Sequence, residues 1–177
     1  MTLPFFTIGH SNRGLEDFID LLTEADIQLV ADIRKIPRSR ANPQFNTDAL
    51  AGALSAEGIA YEYMAALGGR RSKAKAEAPA TNAYWTNQSF HNYADYALTR
   101  EFAHGLEHLV QAGRRRRCAI MCAEAVWWRC HRRIVADYLI AAGETVFHIM
   151  GPGRTDPARL TPAAVVQPGG GLGYPAG

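Results

Sequence analysis

The 177-residue chain lacks several features that mark specialised classes of protein. No apolar run approaches the roughly 18 residues of a membrane span, because Pro4, Thr7 and His10 interrupt the N-terminal run. The first residues also lack the basic start and the long apolar centre of a secretory signal. Cysteines number three, an odd count that does not suit a disulfide framework. We therefore expect a cytoplasmic protein with no membrane partner.

The composition is that of an ordinary globular protein. Apolar residues make up 47% and charged residues 20% of the chain, which argues against disorder and against a coiled coil. At about 150 residues per domain, the length predicts one domain, which we assign to residues 1–150. Residues 151–177 contain seven glycines and five prolines, so they are predicted to form a tail without a core of its own.

The net charge of +2 conceals an uneven distribution of charge. Residues 1–31 carry one basic and five acidic residues, whereas residues 32–133 carry 16 basic and 9 acidic ones, most of the basic ones being arginine. Arginine forks suit carboxylates and phosphates, so the expected partner is an anionic small molecule or a nucleic acid. A solvated basic face is the plainer alternative.

Short apolar runs alternate with helical patterns along the chain. Buried strands are predicted at residues 2–8, 27–33, 59–64, 118–123 and 145–150. Apolar side chains recur at helical spacing between these runs, as at residues 15–22 and 134–142. This order predicts a single-domain, three-layer α/β fold with a mostly parallel five-stranded sheet and helices on both faces.

Polar residues follow three of the predicted strands and precede the last helix. Parallel strands bring such positions to one edge of the sheet, where ligands of open α/β sheets bind. The predicted anion clamp comprises Arg34, Arg38, Arg40, Arg129 and Arg132. The candidate catalytic residues are Asp32, Glu124, His131, Cys122 and Cys130, and the other residues expected to line the site are His10, Ser11 and Ser39. This combination of arginines, carboxylates, histidine and thiols suits a hydrolase or transferase. Asp32, Glu124 and His131 are the candidates for proton transfer.

A thiol enzyme is an alternative function. Cys122 lies where thiol phosphatases and rhodanese-type sulfurtransferases carry a nucleophile, but no glycine follows it and Arg129 is seventh rather than sixth after it. Cys130 is expected to be the better activated thiol, because it lies between Arg129 and His131 in the predicted first turn of the last helix. Cys118 is predicted to be a core residue, and packing is the alternative for the other two cysteines.

Two further alternatives stay open. Asp32, Glu124 and the nearby arginines could form an ion-pair network that braces the loops. The protein could also be a non-catalytic nucleic-acid-binding or regulatory module that uses Arg70, Arg71, Lys73, Lys75 and Arg114–Arg117. No cofactor and no metal is predicted, because the spacing of Cys122, Cys130, His131 and His10 matches no known zinc site.

Several short motifs together resemble one known family. They are Thr7-Ile-Gly-His-Ser-Asn-Arg13, Asp32-Ile-Arg34, Pro37 with Ser39-Arg40, Asn42-Pro-Gln-Phe45, Leu67-Gly-Gly69, Cys122-Ala-Glu124 and Trp128-Arg-Cys-His-Arg132. From Thr7 to Ile149 the chain resembles the domain-of-unknown-function family 488. The resemblance implies an α/β domain whose signature residues are His10, Ser11, Asp32, Arg34, Ser39, Cys122, Glu124, Cys130, His131 and Arg132. It implies a site and no particular reaction. Gly14 departs from the serine or threonine helix cap that such proteins carry.

Overall fold

The computed structural model describes residues 2–69 and 79–177. The helices are α1 (Leu15–Glu24), α2 (Thr47–Ala56), α3 (Gln88–Tyr96), α4 (Arg100–Arg115) and α5 (Arg132–Ala141). The strands are β1 (Phe5–Gly9), β2 (Leu29–Asp32), β3 (Ala60–Tyr63), β4 (Cys118–Cys122), β5 (Val146–Gly151), β6 (Arg154–Pro157), β7 (Val165–Val166) and β8 (Leu172–Gly173). Each of the five strands predicted from apolar runs is present, within a few residues of its expected bounds.

The main sheet has the order β3-β2-β4-β1-β5-β6. Its first five strands are parallel, and β4 lies between β2 and β1 although it comes late in the chain. Ile8 of β1 therefore pairs with Met121 of β4, and Asp32 of β2 pairs with the same residue from the other side. This arrangement places the ends of β1, β2 and β4 side by side at one edge.

Successive residues of a strand point to opposite faces of the sheet, and here each face carries its own core. Phe5 belongs to the core packed under α3, α4 and α5, whereas Phe6 belongs to the core packed under α1 and α2. The two cores make the molecule a three-layer sandwich of helices, sheet and helices. The predicted α/β fold with a mostly parallel sheet and helices on both faces is confirmed.

The predicted strand count of five is wrong, because the sheet has a sixth strand. β6 pairs antiparallel with β5 across a β-bulge between Ile149 and Gly151. Its four residues, Arg154–Pro157, are mostly exposed and polar, so they carry no apolar run that would predict a strand. Edge strands tolerate proline, and a proline ends this one.

The segment after β6 packs onto the main domain. β7 and β8 form a separate two-stranded ribbon, and Leu172 and Tyr174 are buried in the core under α5. The Tyr174 hydroxyl donates a 2.8 Å hydrogen bond to the buried carboxylate of Asp137 in α5. The glycine- and proline-rich residues thus share the core of residues 1–150. No helix in the described ranges is long and apolar enough to cross a membrane.

Candidate functional site

A cleft of about 720 Å³ opens at the edge of the sheet where β1, β2 and β4 end. It is lined by His10, Ser11, Asn12, Arg34, Lys35, Ile36, Arg38, Ser39, Asn42, Gly69, Ser89, Phe90, Tyr93, Cys122, Ala123, Glu124, Arg129, Cys130 and His131. Ten of the thirteen site residues predicted from the sequence are in this lining. The other three are Asp32, Arg40 and Arg132.

Backbone hydrogen bonds beyond the strand ends hold the base of the cleft together. The amides of His10 and Ser11 donate to the carbonyls of Cys122 and Ala123, each at 2.9 Å, so the β1–β4 pairing continues into the loops. The loop after β4 crosses directly over Gly9, whose missing side chain leaves room for the carbonyl of Glu124. Ser11 adopts a left-handed φ of 49°, a conformation that non-glycine residues seldom adopt outside constrained turns.

Asp32 and Arg34 form a buried ion pair below the cleft. Arg34 donates through Nε to Asp32 Oδ1 at 2.9 Å and through Nη2 to Oδ2 at 2.7 Å. Tyr61 also donates its hydroxyl to Asp32, and burial and this bond raise the pKa of Tyr61 to about 12. Asp32 therefore lies behind the cleft and fixes Arg34, an arrangement that matches the bracing network considered for these residues.

His10 is a neutral imidazole in this site. Its Nδ1 donates to the carbonyl of Ser11 at 2.8 Å, which leaves Nε2 as the acceptor facing Arg34 Nη1 at 3.4 Å. Burial lowers the pKa of His10, and the neighbouring Arg34 charge lowers it further. The ring stacks on Phe45, with 4.5 Å between the ring centroids. His10 thus completes the packed base of the cleft.

Three cationic side chains at the rim are not neutralised. Lys35, Arg38 and Arg129 line the cleft, and their side chains make no hydrogen bond or ion pair within the described part of the chain. The carboxylate of Glu124 also lines it without a partner among those residues. Among the described residues, the rim therefore carries three positive charges without a partner and one negative charge without a partner. Arg40 is exposed but lies outside the lining.

Arg132 is fully buried behind the cleft. Its Nη1 donates to the carbonyl of Glu124 at 2.6 Å and its Nη2 to the carbonyl of Ala125 at 3.2 Å, so it braces the loop after β4. The same Nη1 lies 2.7 Å from Cys122 Sγ. Within the described ranges no carboxylate lies within 4.0 Å of this guanidinium. A buried cation of this kind favours an anion beside it.

Cys122 and Cys130 meet next to Arg132. Burial raises the pKa of Cys122, and its hydrogen bond with Cys130 raises it further. Burial also disfavours a thiolate at Cys130, but the bond from Cys122, the Arg132 charge and the Arg132 backbone amide outweigh it and lower the pKa of Cys130. The amide of Arg132 lies 3.4 Å from Cys130 Sγ. Of the two thiols, Cys130 is therefore the one whose pKa its surroundings lower.

His131 contacts the same thiol. Its Nε2 lies 2.9 Å from the carbonyl of Ile33, which can only accept, so Nε2 carries a hydrogen. Nδ1 is then the nitrogen that faces Cys130 Sγ, at 3.5 Å. This pairing of a thiol with an imidazole is the arrangement that activates cysteine nucleophiles. Cys130 and His131 precede α5, rather than lying in its first turn as the sequence predicts.

The remaining lining residues include the predicted Ser39 and two residues, Phe90 and Lys35, that are not among the predicted site residues. Ser39 accepts a hydrogen bond from the Asn42 amide at 2.9 Å, so its hydroxyl shapes the loop after β2. Phe90 is half-buried, stacks on Trp85 and forms part of one wall. Lys35 belongs to none of the sequence motifs, and its position in a basic loop is the one sequence feature that indicates a place in the site.

The other sequence-based hypotheses concern two basic segments, a metal site and Cys118. Arg114–Arg117 precede β4 and so lie at the opposite edge of the sheet; Arg114 pairs with Glu144 at 2.9 Å, and Arg117 donates to the carbonyl of Ala25. Arg70, Arg71, Lys73 and Lys75 lie outside the described residues. Among the described residues, no three or more His, Cys, Asp or Glu side chains form a group that could hold a metal ion. Cys118 is buried, as predicted, and burial raises its pKa to about 12.

A family model described as domain of unknown function DUF488 matches residues 14–139. This range includes the ends of β2 and β4 together with Cys130, His131 and Arg132. No curated protein and no solved structure matches the chain. The matched range is more than half of the 177 residues, and the chain therefore belongs to the DUF488 family.

Proposed function

We propose that the cleft binds a small anionic ligand, of the size of a nucleotide or phosphoester, and that Cys130 is the nucleophile of a group transfer from that ligand. The observation that carries this proposal is the position of the Cys130 thiol, between Arg132 and His131, in a cleft rimmed by unneutralised cations. A thiolate there needs no further base, because the buried guanidinium supplies the balancing charge.

The rim supplies the attraction for the ligand. Arg38 and Arg129 offer planar forks that suit phosphate and carboxylate oxygens, and Lys35 adds a point charge. Arg34 contributes less, because Asp32 already neutralises it. Arg132 contributes to the thiolate rather than to the ligand, since it lies behind the cysteines.

The chemistry begins with attack of the Cys130 thiolate on the electrophilic atom of the bound ligand. A new bond forms to Cys130 Sγ while the bond to the leaving group breaks with its electron pair. The leaving group takes its proton from water, and the Glu124 carboxylate, which lines the same cleft, is the candidate base for the second step. Water or a second acceptor then takes the group from sulfur and restores the thiolate. The first outcome is a hydrolase and the second a transferase.

Two alkylating reagents of similar size test both parts of the proposal. Iodoacetamide is neutral and iodoacetate is an anion, so their rates at Cys130, resolved by peptide mass spectrometry, separate nucleophilicity from anion attraction. We expect the iodoacetate-to-iodoacetamide rate ratio at Cys130 to exceed that of the unfolded chain by on the order of ten-fold. Both reactions should persist well below pH 8.5, the ordinary pKa of a cysteine being about 8.5.

Arg38→Gln and Arg129→Gln should each reduce this rate ratio while leaving the iodoacetamide rate nearly unchanged. Arg40→Gln is the matched control, because Arg40 lies close in sequence and is exposed but does not line the cleft. Equal ratios in all three variants and the wild type would show that the rim does not attract anions. A Cys130 that reacts only above pH 8.5 would show that it is not a nucleophile of this kind.

A further inference from the structure

The cleft contains two thiols. Cys122 comes from the end of β4 and Cys130 from the turn before α5, yet both line the cleft. Arg132 contacts both: its Nη1 lies 2.7 Å from Cys122 Sγ and its amide 3.4 Å from Cys130 Sγ. A nucleophile alone does not require a second thiol beside it. The third cysteine, Cys118, lies at the far end of β4 outside the cleft.

We propose that Cys122 and Cys130 form a redox-active dithiol that exchanges with a small anionic disulfide, Cys130 attacking and Cys122 resolving. The inference rests on the nucleophilic Cys130 of the proposed function and names its substrate class. Both cysteines are free thiols in the structure.

The exchange balances without any further reactant. The Cys130 thiolate attacks one sulfur of the disulfide R–S–S–R, forming a mixed disulfide and releasing RS⁻. The Cys122 thiol then gives its proton to that RS⁻ and attacks Cys130 Sγ, forming the Cys122–Cys130 disulfide and releasing a second RS⁻. The two protein sulfurs are oxidised, and the ligand disulfide is reduced to one RSH and one RS⁻.

The surroundings of the thiols favour sulfur as the electrophile. Transfer from a phosphoryl or acyl carrier needs hydrogen-bond donors aimed at the developing oxyanion. Beside the thiols themselves, the loop after β4 places the carbonyl oxygen of Glu124, an acceptor, 3.9 Å from Cys122 Sγ, and the cations without a partner among the described residues lie at the rim. Thiol–disulfide exchange develops negative charge on sulfur and needs no hydrogen-bond donors aimed at an oxyanion. The cleft volume of about 720 Å³ also far exceeds what a hydroperoxide would need, which favours the larger disulfide.

Arg132 influences the direction of exchange. It stabilises the thiolate of the reduced pair, and a stabilised reduced form makes the corresponding disulfide a stronger oxidant. The protein should therefore need an excess of ligand disulfide to become fully oxidised. It should return to the dithiol when the corresponding thiol is added.

Two disulfides of similar length provide the test. Dithiodipropionate carries two carboxylates, whereas cystamine carries two ammonium groups. The full chain is incubated with an excess of each, quenched with acid and analysed by peptide mass spectrometry without reduction. With dithiodipropionate we expect a peptide pair linked through Cys122 and Cys130. Cystamine should give the same product at least about five-fold more slowly, because the rim is cationic.

Cysteine variants identify each step. Cys122→Ser should accumulate the mixed disulfide on Cys130, Cys130→Ser should give neither product, and Cys118→Ala should behave as the wild type. A wild type that stops at the mixed disulfide would show that Cys122 does not resolve it. Equal rates with cystamine would overturn the preference for an anionic disulfide.

Labelling of Cys130 by iodoacetate and by the two disulfides tests the nucleophile and its substrate separately. If iodoacetate labels Cys130 rapidly but neither disulfide does, the disulfide substrate is wrong and the nucleophile stands. If neither iodoacetate nor a disulfide modifies Cys130 in the folded protein, both proposals fail. Circular dichroism of each variant shows whether it has kept the fold.

Discussion

The Asp32 carboxylate and the Arg34 guanidinium form a two-point ion pair at the end of β2, with both side chains at most 4% exposed. Removing one member of such a pair leaves the other charge buried without a partner, which costs about 3 to 5 kcal/mol. Asp32→Asn should therefore lower the free energy of unfolding by about that amount, as measured by urea denaturation.

Arg154 and Asp156 provide a matched control, since they are also two residues apart but largely exposed. Asp156→Asn should cost less than about 1 kcal/mol, as surface ion pairs usually do. The double variant Asp32→Leu with Arg34→Met should be more stable than either single variant, because no buried charge is left unpaired. Equal losses for Asp32→Asn and Asp156→Asn would contradict the bracing role of the buried pair.

Gly69 sets the position of His131. A Cβ at residue 69 would lie 2.7 Å from His131 Nδ1, the nitrogen that faces Cys130. Gly69→Ala should therefore displace the imidazole and slow alkylation of Cys130 by iodoacetamide several-fold at pH 7. Gly52→Ala is the control, because nothing lies within 4 Å of a Cβ at this α2 position. That variant should keep the alkylation rate and gain about 0.5 to 1 kcal/mol of stability.

His148 makes the fold sensitive to acid. Its Nδ1 accepts from the Thr7 hydroxyl at 2.6 Å, and burial together with Arg132 lowers its pKa to about 4. A histidine with a lowered pKa stabilises the fold above its unfolded pKa of about 6.5, and that stability is lost as the pH falls through the folded pKa.

Between pH 7 and pH 4 the free energy of unfolding of the wild type should therefore fall more than that of His148→Gln. The expected difference between the two losses is about 3 kcal/mol. His108→Gln should resemble the wild type, because His108 is exposed and pairs with Glu62 at the surface. Urea denaturation at several pH values measures both losses, and parallel losses in all three proteins would refute a buried neutral His148.

Salt dependence separates a small-ligand cleft from a nucleic-acid surface. The iodoacetate preference at Cys130 depends on three rim cations, so it should fall less than about ten-fold between 50 and 200 mM salt. A protein that makes 6–10 phosphate contacts loses about 10³ to 10⁵ in affinity over the same range. Fluorescence anisotropy of a labelled oligonucleotide over these salt concentrations provides the comparison. A steep salt dependence that Arg115→Gln and Arg116→Gln abolish would favour the nucleic-acid module.

The fold was predictable where strands are buried on both faces. Residues 118–123 form a nearly unbroken apolar run and gave β4 within one residue of its observed end. β6 lacked such a run, because an exposed edge strand has no apolar face to reveal it. The packing of Tyr174 on Asp137 could not be predicted from the sequence either. A single buried aromatic residue in a glycine-rich segment shows no apolar periodicity that would indicate burial.

Sequence reasoning located the edge of the sheet but could not assign roles within it. The Asp32–Arg34 pair depends on how the chain turns after β2, so the sequence left open whether Asp32 transfers protons or braces Arg34. Arg40 and Arg38 look equivalent in the sequence, yet only Arg38 lines the cleft. The contact between Cys122 and Cys130 depends on the loop that Arg132 braces, and no spacing rule describes that loop.

The pairing of β1 with β4 joins Phe5 to Cys118 across more than half of the chain, and β4 must also insert beside β2. Such long-range pairing slows folding, because a large loop has to close before the contact forms. His10, Cys122 and Arg132 can come together only after that closure. The appearance of enhanced Cys130 reactivity during refolding should therefore report the completion of the central sheet. The rate at which this single thiol becomes reactive then measures the folding rate of the whole domain.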